Sequence, residues 1–267
     1  MQAGLGVTDF SEVARKYDIQ LEWGELPNGE DGYYSKDERK IILNSRIMNP
    51  ERINFSFCHE FMHDRIEHDD NLLCLFADAH VQRDRQYETM ERLCNAGAAE
   101  LLMPSDNVRE LMREHGFSTC LIPELCQHFN TSSIAAAFQM VNCASHDCYL
   151  VIAEVQLVSP SMNNAQTSFV KVNPISVPQE RLVIIYSAGS PASQYPMARN
   201  IPIQLDHLIY TTLENEGKVV KGRDDIPRRN SSKRAWIVDC DALYFRGKVF
   251  AFFNVTQPIS VYQLPLF

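Results

Sequence analysis

The residues best equipped for chemistry sit in NFSFCHEFMHDRIEH, positions 54–68, where His59, Glu60 and His63 spell H-E-x-x-H. On a helix, positions i and i+4 share a face, so both imidazoles can turn toward one metal ion. Neutral imidazole nitrogen suits zinc, and a carboxylate beside the first histidine suits a proton acceptor for an activated water. The same residue types also occur on ordinary helices. A third ligand, and elements able to present it, would separate the two readings.

A catalytic zinc takes three protein ligands and keeps one position open. The carboxylates downstream are Asp64, Glu67, Asp69, Asp70, Asp78, Asp84, Glu88, Glu91 and Glu100. Those before position 71 belong to the same helix or its end, and Asp78 and Asp84 fall in a weakly patterned connection. Glu88, Glu91 and Glu100 fall on the next expected helix, a rigid support. Glu91 is favoured over Glu88, because Asn95 at i+4 and then Ala98 and Ala99 make a polar and then small face that packs closely. His68 lies five residues past His63, off the ligand face, and receives no role.

The helix carrying the motif has a clear start. Asn49 can cap it, Pro50 suits the first helical position and Glu51 suits the first turn. Ile53, Phe55, Phe57, Phe61, Met62 and Ile66 carry the apolar pattern through to about 68. Upstream, the pattern predicts a helix over 8–17 capped by Thr8, a strand over 19–23, a turn over 27–32 and a strand over 40–44. The last reads either as an edge strand, to which an extended peptide could pair and present a carbonyl to the metal, or as an internal strand.

Downstream, residues 68–86 read as irregular, followed by a helix over about 86–102 that Pro104 ends. Residues 105–145 read as all helical, with a helix–turn–helix pattern pivoting on Asn130 and Thr131. After Cys148 the texture changes to β-branched and aromatic runs at 149–158, 181–187, 234–245 and 248–255, with a hairpin turn at 246–248 and one helix at about 203–216. Residues 159–168 are polar and read as mobile. The expectation is an α+β chain with a domain boundary near 148.

The 267 residues are 45% hydrophobic and 22% charged, as in an ordinary globular chain. No apolar run approaches the roughly 18–20 residues that span a bilayer. No basic start followed by an apolar stretch marks a secretory signal. Eight cysteines are scattered without a C-x-x-C pair, which argues against a disulfide framework or a thiolate zinc site and fits a reducing, cytoplasmic setting. The net charge of −9 makes the chain a poor non-specific binder of nucleic acid. The segment SSIAAAFQMVNCAS, 132–145, has no Lys or Arg for phosphates or bases, so it reads as a packing helix and not a DNA reader. Positions 218–234 hold seven Lys or Arg, a solvated loop or a surface for docking anions.

Together, GYY (32–34), IILN (41–44), RINFSFCHEFMH (52–63) and ERLCNAGAAELLMP (91–104) resemble the ImmA/IrrE metallopeptidases. That family pairs a Gly-Tyr segment and an Ile-x-Leu/Val-Asn strand with R-x-x-F-x-x-A-H-E-x-x-H and E-x-x-A-N-x-F-A-x-x-L-L-M-P. Carried over residue by residue, the resemblance implies His59, His63 and Glu91 as ligands of zinc, or of manganese, with Glu60 as general base. Cys58 and Cys94 stand where the family has alanine and Gly97 where it has phenylalanine, changes of packing that leave the ligands intact.

Length and texture further resemble the IrrE-type radiation and stress-response proteases. The architecture implied is a zincin-like metallopeptidase core over 1–104, a helical, helix–turn–helix-like region over 105–148 and a GAF-like sensor domain over 149–267. The activity implied is site-specific cleavage of an XRE-type helix–turn–helix repressor, inducing a DNA-damage response. The competing class is a non-enzymatic DNA-binding or ligand-sensing regulator with a vestigial metal site. An intact Glu60 and the acidic charge speak against it.

Overall fold

The computed structural model describes residues 10–78, 83–158, 178–193, 199–227 and 236–255. The chain forms two compact units, one of Met1–Leu111 with Glu124–Gln139, the other of Met112–Pro123 with Met140–Phe267. The positions of Thr8 and of 159–168 lie outside the described residues.

The first unit opens with α1 (Phe10–Lys16), β1 (Gln20–Gly24), a 3-10 turn (Pro27–Gly29), β2 (Gly32–Ser35) and β3 (Lys40–Asn44). The sheet order is β1-β3-β2, with β3 parallel to β1 and antiparallel to β2. Of the two readings of residues 40–44, the internal one holds: β3 is central, and β1 and β2 form the edges. Ile41 and Leu43, on one face of β3, are both fully covered. In the sequence, the β2 residues GYY (32–34) stand out only as a motif. The strand is too short for periodicity to announce it, and it exists because it pairs with β3.

Helix α2 (Pro50–Glu67) follows, with the Asn49 side chain accepting from the backbone N–H groups of Glu51 and Arg52 and with Pro50 in its first turn. Its inner face buries Phe57, Phe61 and Ile66. Next come α3 (Asp70–Asp78) and α4 (Arg83–Leu102). The stretch taken as irregular thus contains a helix, started by Asp69, whose carboxylate accepts from Asn71 N and Leu72 N. Gly97 replaces a bulky residue for a reason of space. A Cβ added there would lie 2.5 Å from Met62 Cε, so α4 approaches α2 closely at this point.

Three more helices complete the α-helical part: α5 (Ser105–His115), α6 (Leu121–Phe129) and α7 (Ser133–Cys143). Asn130, at a φ of 48°, ends α6 in the left-handed region that Asn tolerates. Gln139 on α7 donates to the Met103 carbonyl at 2.9 Å, tying it to the end of α4 within the first unit.

In the second unit, β4 (Cys148–Val158), β5 (Gln179–Gly189), β6 (Val219–Asp225), β7 (Ile237–Phe245) and β8 (Lys248–Asn254) form one antiparallel sheet in the order β5-β4-β8-β7-β6. The β7–β8 hairpin turns at Arg246 and Gly247, with φ of 50° and 76°, the double left-handed turn that matches strand twist. One sheet face packs Val151, Leu182, Ile184, Val249 and Phe253 against Ile203, Ile209 and Ile226. On the other face Phe117 lies 4.5 Å from Phe252, ring centre to ring centre.

Two expectations change here. The helix placed at 203–216 is a shorter 3-10 helix, Leu208–Glu214, capped by the His207 side chain. Residues 219–225 of the basic segment are a strand, in which Lys221 pairs with Asp241 and Arg223 with Asp239. Positions 228–235 lie outside the described residues. Among the described residues no helix is long and apolar enough to cross a membrane.

Candidate metal centre

The helical phase of α2 places His59 and His63 one turn apart, and α4 brings Glu91 against them. His59 Nε2 and His63 Nε2 are 3.2 Å apart. Glu91 Oε2 lies 3.3 Å from His59 Nε2, and its Oε1 lies 3.4 Å from His63 Nε2. All three side chains are partly buried. Among the described residues this is the trio of donor groups close enough to share one ion.

The donor set fits a metal. Two imidazole nitrogens facing each other at this separation need a proton or a cation between them. Ligand bonds of about 2.0–2.2 Å in a tetrahedron set donor atoms about 3.3–3.6 Å apart, close to the three separations found. His59 Nδ1 faces the Asn95 amide oxygen at 3.1 Å, which places its proton on Nδ1 and leaves the Nε2 lone pair directed at the cluster. Burial, and then the neighbouring His59, push the His63 imidazole pKa down, toward the neutral form that a metal requires.

Glu60 lies beside the trio and is nearly fully buried. Burial and then the charge of Glu91 push its carboxyl up to about 7, while a hydrogen bond from the Tyr34 backbone pulls the other way. A divalent cation in the trio would offset much of that rise.

The other candidate carboxylates are engaged elsewhere. Asp64, fully buried, accepts from Tyr34 Oη at 2.9 Å and Arg39 Nε at 3.1 Å. Glu67 lies 3.5 Å from Lys36 Nζ, and Asp69 starts α3. Asp70 stands in the first turn of α3, and Glu88 is exposed on α4 outside the trio. Glu100 accepts from Ser105 and Gln139. The side chains of Asp78 and Asp84 lie outside the described residues. His68 meets the Asp64 carbonyl at 2.8 Å, away from the trio.

The sequence places Asn95 on the α4 face beside Glu91, and the structure makes it the partner of His59. Its spacing of four from Glu91 was the available signal, since one helix face supplies both a donor to the trio and the acceptor behind a histidine. The approach of β2 to Glu60 had no comparable signal.

The chain matches the Peptidase_M78 model, the IrrE N-terminal-like domain, over residues 16–140. It is 28% identical over 183 residues to the radiation response metalloprotease IrrE of Deinococcus deserti, a match spanning 68% of this chain and 60% of that protein. To the protein of the same name from Deinococcus radiodurans it is 26% identical over 225 residues, 84% of this chain and 66% of the relative. The matches thus span less than two thirds of these relatives' own lengths. A solved structure of a Mycobacterium tuberculosis transcriptional regulator superposes with a TM-score of 0.56 at 13% identity, covering 95% of this chain and 71% of that one, a likeness of fold alone.

Proposed function

Starting from an IrrE N-terminal-like domain over 16–140 and a distant relationship to IrrE metalloproteases, we propose that this protein is a metal-dependent, site-specific endopeptidase. Its substrate would be an XRE-type helix–turn–helix repressor, whose cleavage induces a DNA-damage response. The observation that carries the proposal is the trio of His59, His63 and Glu91, with donor atoms 3.2–3.4 Å apart and a buried carboxylate, Glu60, beside it.

In this reading His59, His63 and Glu91 hold the ion, and Asn95 fixes the first imidazole. Zinc, or manganese, bound there supplies Lewis acidity, lowering the pKa of a water and polarising the scissile carbonyl. Glu60 would be the base, accepting a proton from the attacking water and giving it to the amide nitrogen that leaves. Its environment suits both tasks, because burial favours its protonated form while the Tyr34 N–H favours the anion. An extended segment of substrate would lie along β2, the sheet edge next to Glu60.

The second unit is assigned a GAF-like sensing role. What supports it is its five-stranded antiparallel sheet, packed on one face, among the described residues, by the short helix Leu208–Glu214 and its flanking loops. None of the eight cysteines forms a disulfide, which supports a cytoplasmic setting.

The test is incubation of the full chain with candidate XRE-type repressors, with and without zinc or manganese, followed by mass spectrometry of fragments. One discrete metal-dependent cut, absent with Glu60→Gln, is expected. Cleavage by Glu60→Gln at the wild-type rate would refute the mechanism. DNA binding that persists in Glu60→Gln, with no cleavage by either protein, would favour the regulator reading.

A further inference from the structure

We propose that Gly32 and Tyr34 on β2 are positioning residues for Glu60, and that the buried Asp64 fixes the strand that carries them. The proposal rests on reading Glu60 as the base.

The first observation is a fit of spacings. Residues two apart on a strand are about 6.6–6.8 Å apart, and residues four apart on a helix are separated by about 6.0 Å along its axis. Gly32 and Tyr34 therefore meet Glu60 and Asp64 of α2 in register. Tyr34 Oη donates to Asp64 Oδ1 at 2.9 Å. Opposite Glu60 stands a residue without a side chain. A Cβ added at Gly32 would lie 2.7 Å from Glu60 Cγ and 3.0 Å from Oε1. The Glu60 side chain thus passes through the space that any other residue at position 32 would fill. The Tyr34 N–H donates to the same carboxylate, so one residue holds Glu60 with its backbone and Asp64 with its side chain.

The second observation is how the clamp is anchored. Asp64 is fully buried and is met from the turn after β2 by Arg39 Nε at 3.1 Å. A carboxylate held by both a phenol and a guanidinium is a rigid fixture. Both side-chain hydrogen-bond donors come from β2 or the turn that follows it, so Asp64 sets the strand against the helix. The distance from Glu60 to the metal trio then depends on strand position as well as on the side-chain rotamer. Misplacing a reacting group by about 1 Å can cost 10²-fold in rate.

Two measurements decide this. In the first, steady-state cleavage of the repressor cut in the assay above is followed for wild type, Gly32→Ala, Tyr34→Phe and Asp64→Asn. Gly32→Ala is expected to lower kcat about 10²-fold, with KM and zinc affinity by chelator competition unchanged. Tyr34→Phe should lower kcat by about tenfold, and Asp64→Asn, which keeps an acceptor for Tyr34 Oη, by less.

The second needs no substrate: amide hydrogen exchange of Tyr34 by NMR in wild type and Glu60→Ala. Tyr34 should lose protection in Glu60→Ala while the strand partners Ile41 and Leu43 keep theirs. Wild-type kcat in Gly32→Ala, or equal Tyr34 protection in both proteins, would overturn the proposal. If wild type cuts no repressor, the endopeptidase reading fails and the Tyr34 amide still decides this one.

Discussion

Asp241 of the second unit and Glu60 of the first are buried carboxylates put to opposite ends. Asp241, on β7 of the second unit, accepts from Ser118 Oγ at 2.7 Å, from Thr119 N at 2.8 Å and from Thr119 Oγ1, and lies 3.2 Å from Lys221 Nζ. Its hydrogen-bonding capacity is used, and it ties the turn before α6 to the sheet. Glu60, nearly as deeply buried in the first unit, has one backbone donor and a second carboxylate for a neighbour. A saturated carboxylate is a structural tie, whereas an under-compensated one beside two imidazoles is a site that a cation completes.

The sharpest way to break this contrast is to change both carboxylates. Glu60→Gln should lower cleavage about 10²–10⁴-fold while metal content stays at the wild-type level. Asp241→Ala should spare the metal and instead destabilise the second unit by about 3 kcal/mol, as its buried donors lose a charged acceptor. Denaturant unfolding, with a probe in each unit, checks the second half.

Metal removal separates the units in another way. Zinc at about 100 times its dissociation constant should stabilise the first unit by about 2.7 kcal/mol and leave the second unchanged. Calorimetry with and without chelator tests this, and equal shifts in both transitions would contradict it. Asn95→Ala should weaken zinc binding about 10–100-fold by freeing the His59 ring, read by competition with a chromogenic chelator. The smallest effect belongs to Lys221→Ala. That side chain is 66% exposed, so its pair with Asp241 is worth less than about 1 kcal/mol. A larger loss would mean that Asp241 depends on its lysine and not on Ser118 and Thr119.

The readability of the sequence follows the same divide between local and distant causes. Helix α2 is legible from its own residues: the Asn49 cap, Pro50 and the apolar spacing are local, and the structure uses each as expected. The histidine pair follows from helical phase. Glu91 was one of several carboxylates until pattern and family resemblance singled it out, because pairing between helices is not written in either helix alone. The place of β3, at an edge or inside the sheet, stays open in the sequence for the same reason. A strand of five residues carries no mark of how many neighbours it has, and only the parallel partner β1 makes it central.

Helix α3 was lost among its charges, since the signal that starts it is a single side-chain cap from Asp69. In the second unit the strands were visible as apolar runs, but β6 was hidden under Lys and Arg that pair with acids on β7. The Gly32 contact was the least readable feature, for a missing side chain matters only beside the residue that fills its space.

The most direct measurement is elemental analysis of the purified full chain after incubation with zinc and removal of excess, run beside His63→Ala, Glu91→Ala and Glu60→Gln. The structure predicts about one zinc per chain in wild type and Glu60→Gln, and little in the two ligand variants. No tightly held metal in wild type, or equal retention in Glu91→Ala, would contradict the assignment of His59, His63 and Glu91 as the metal centre.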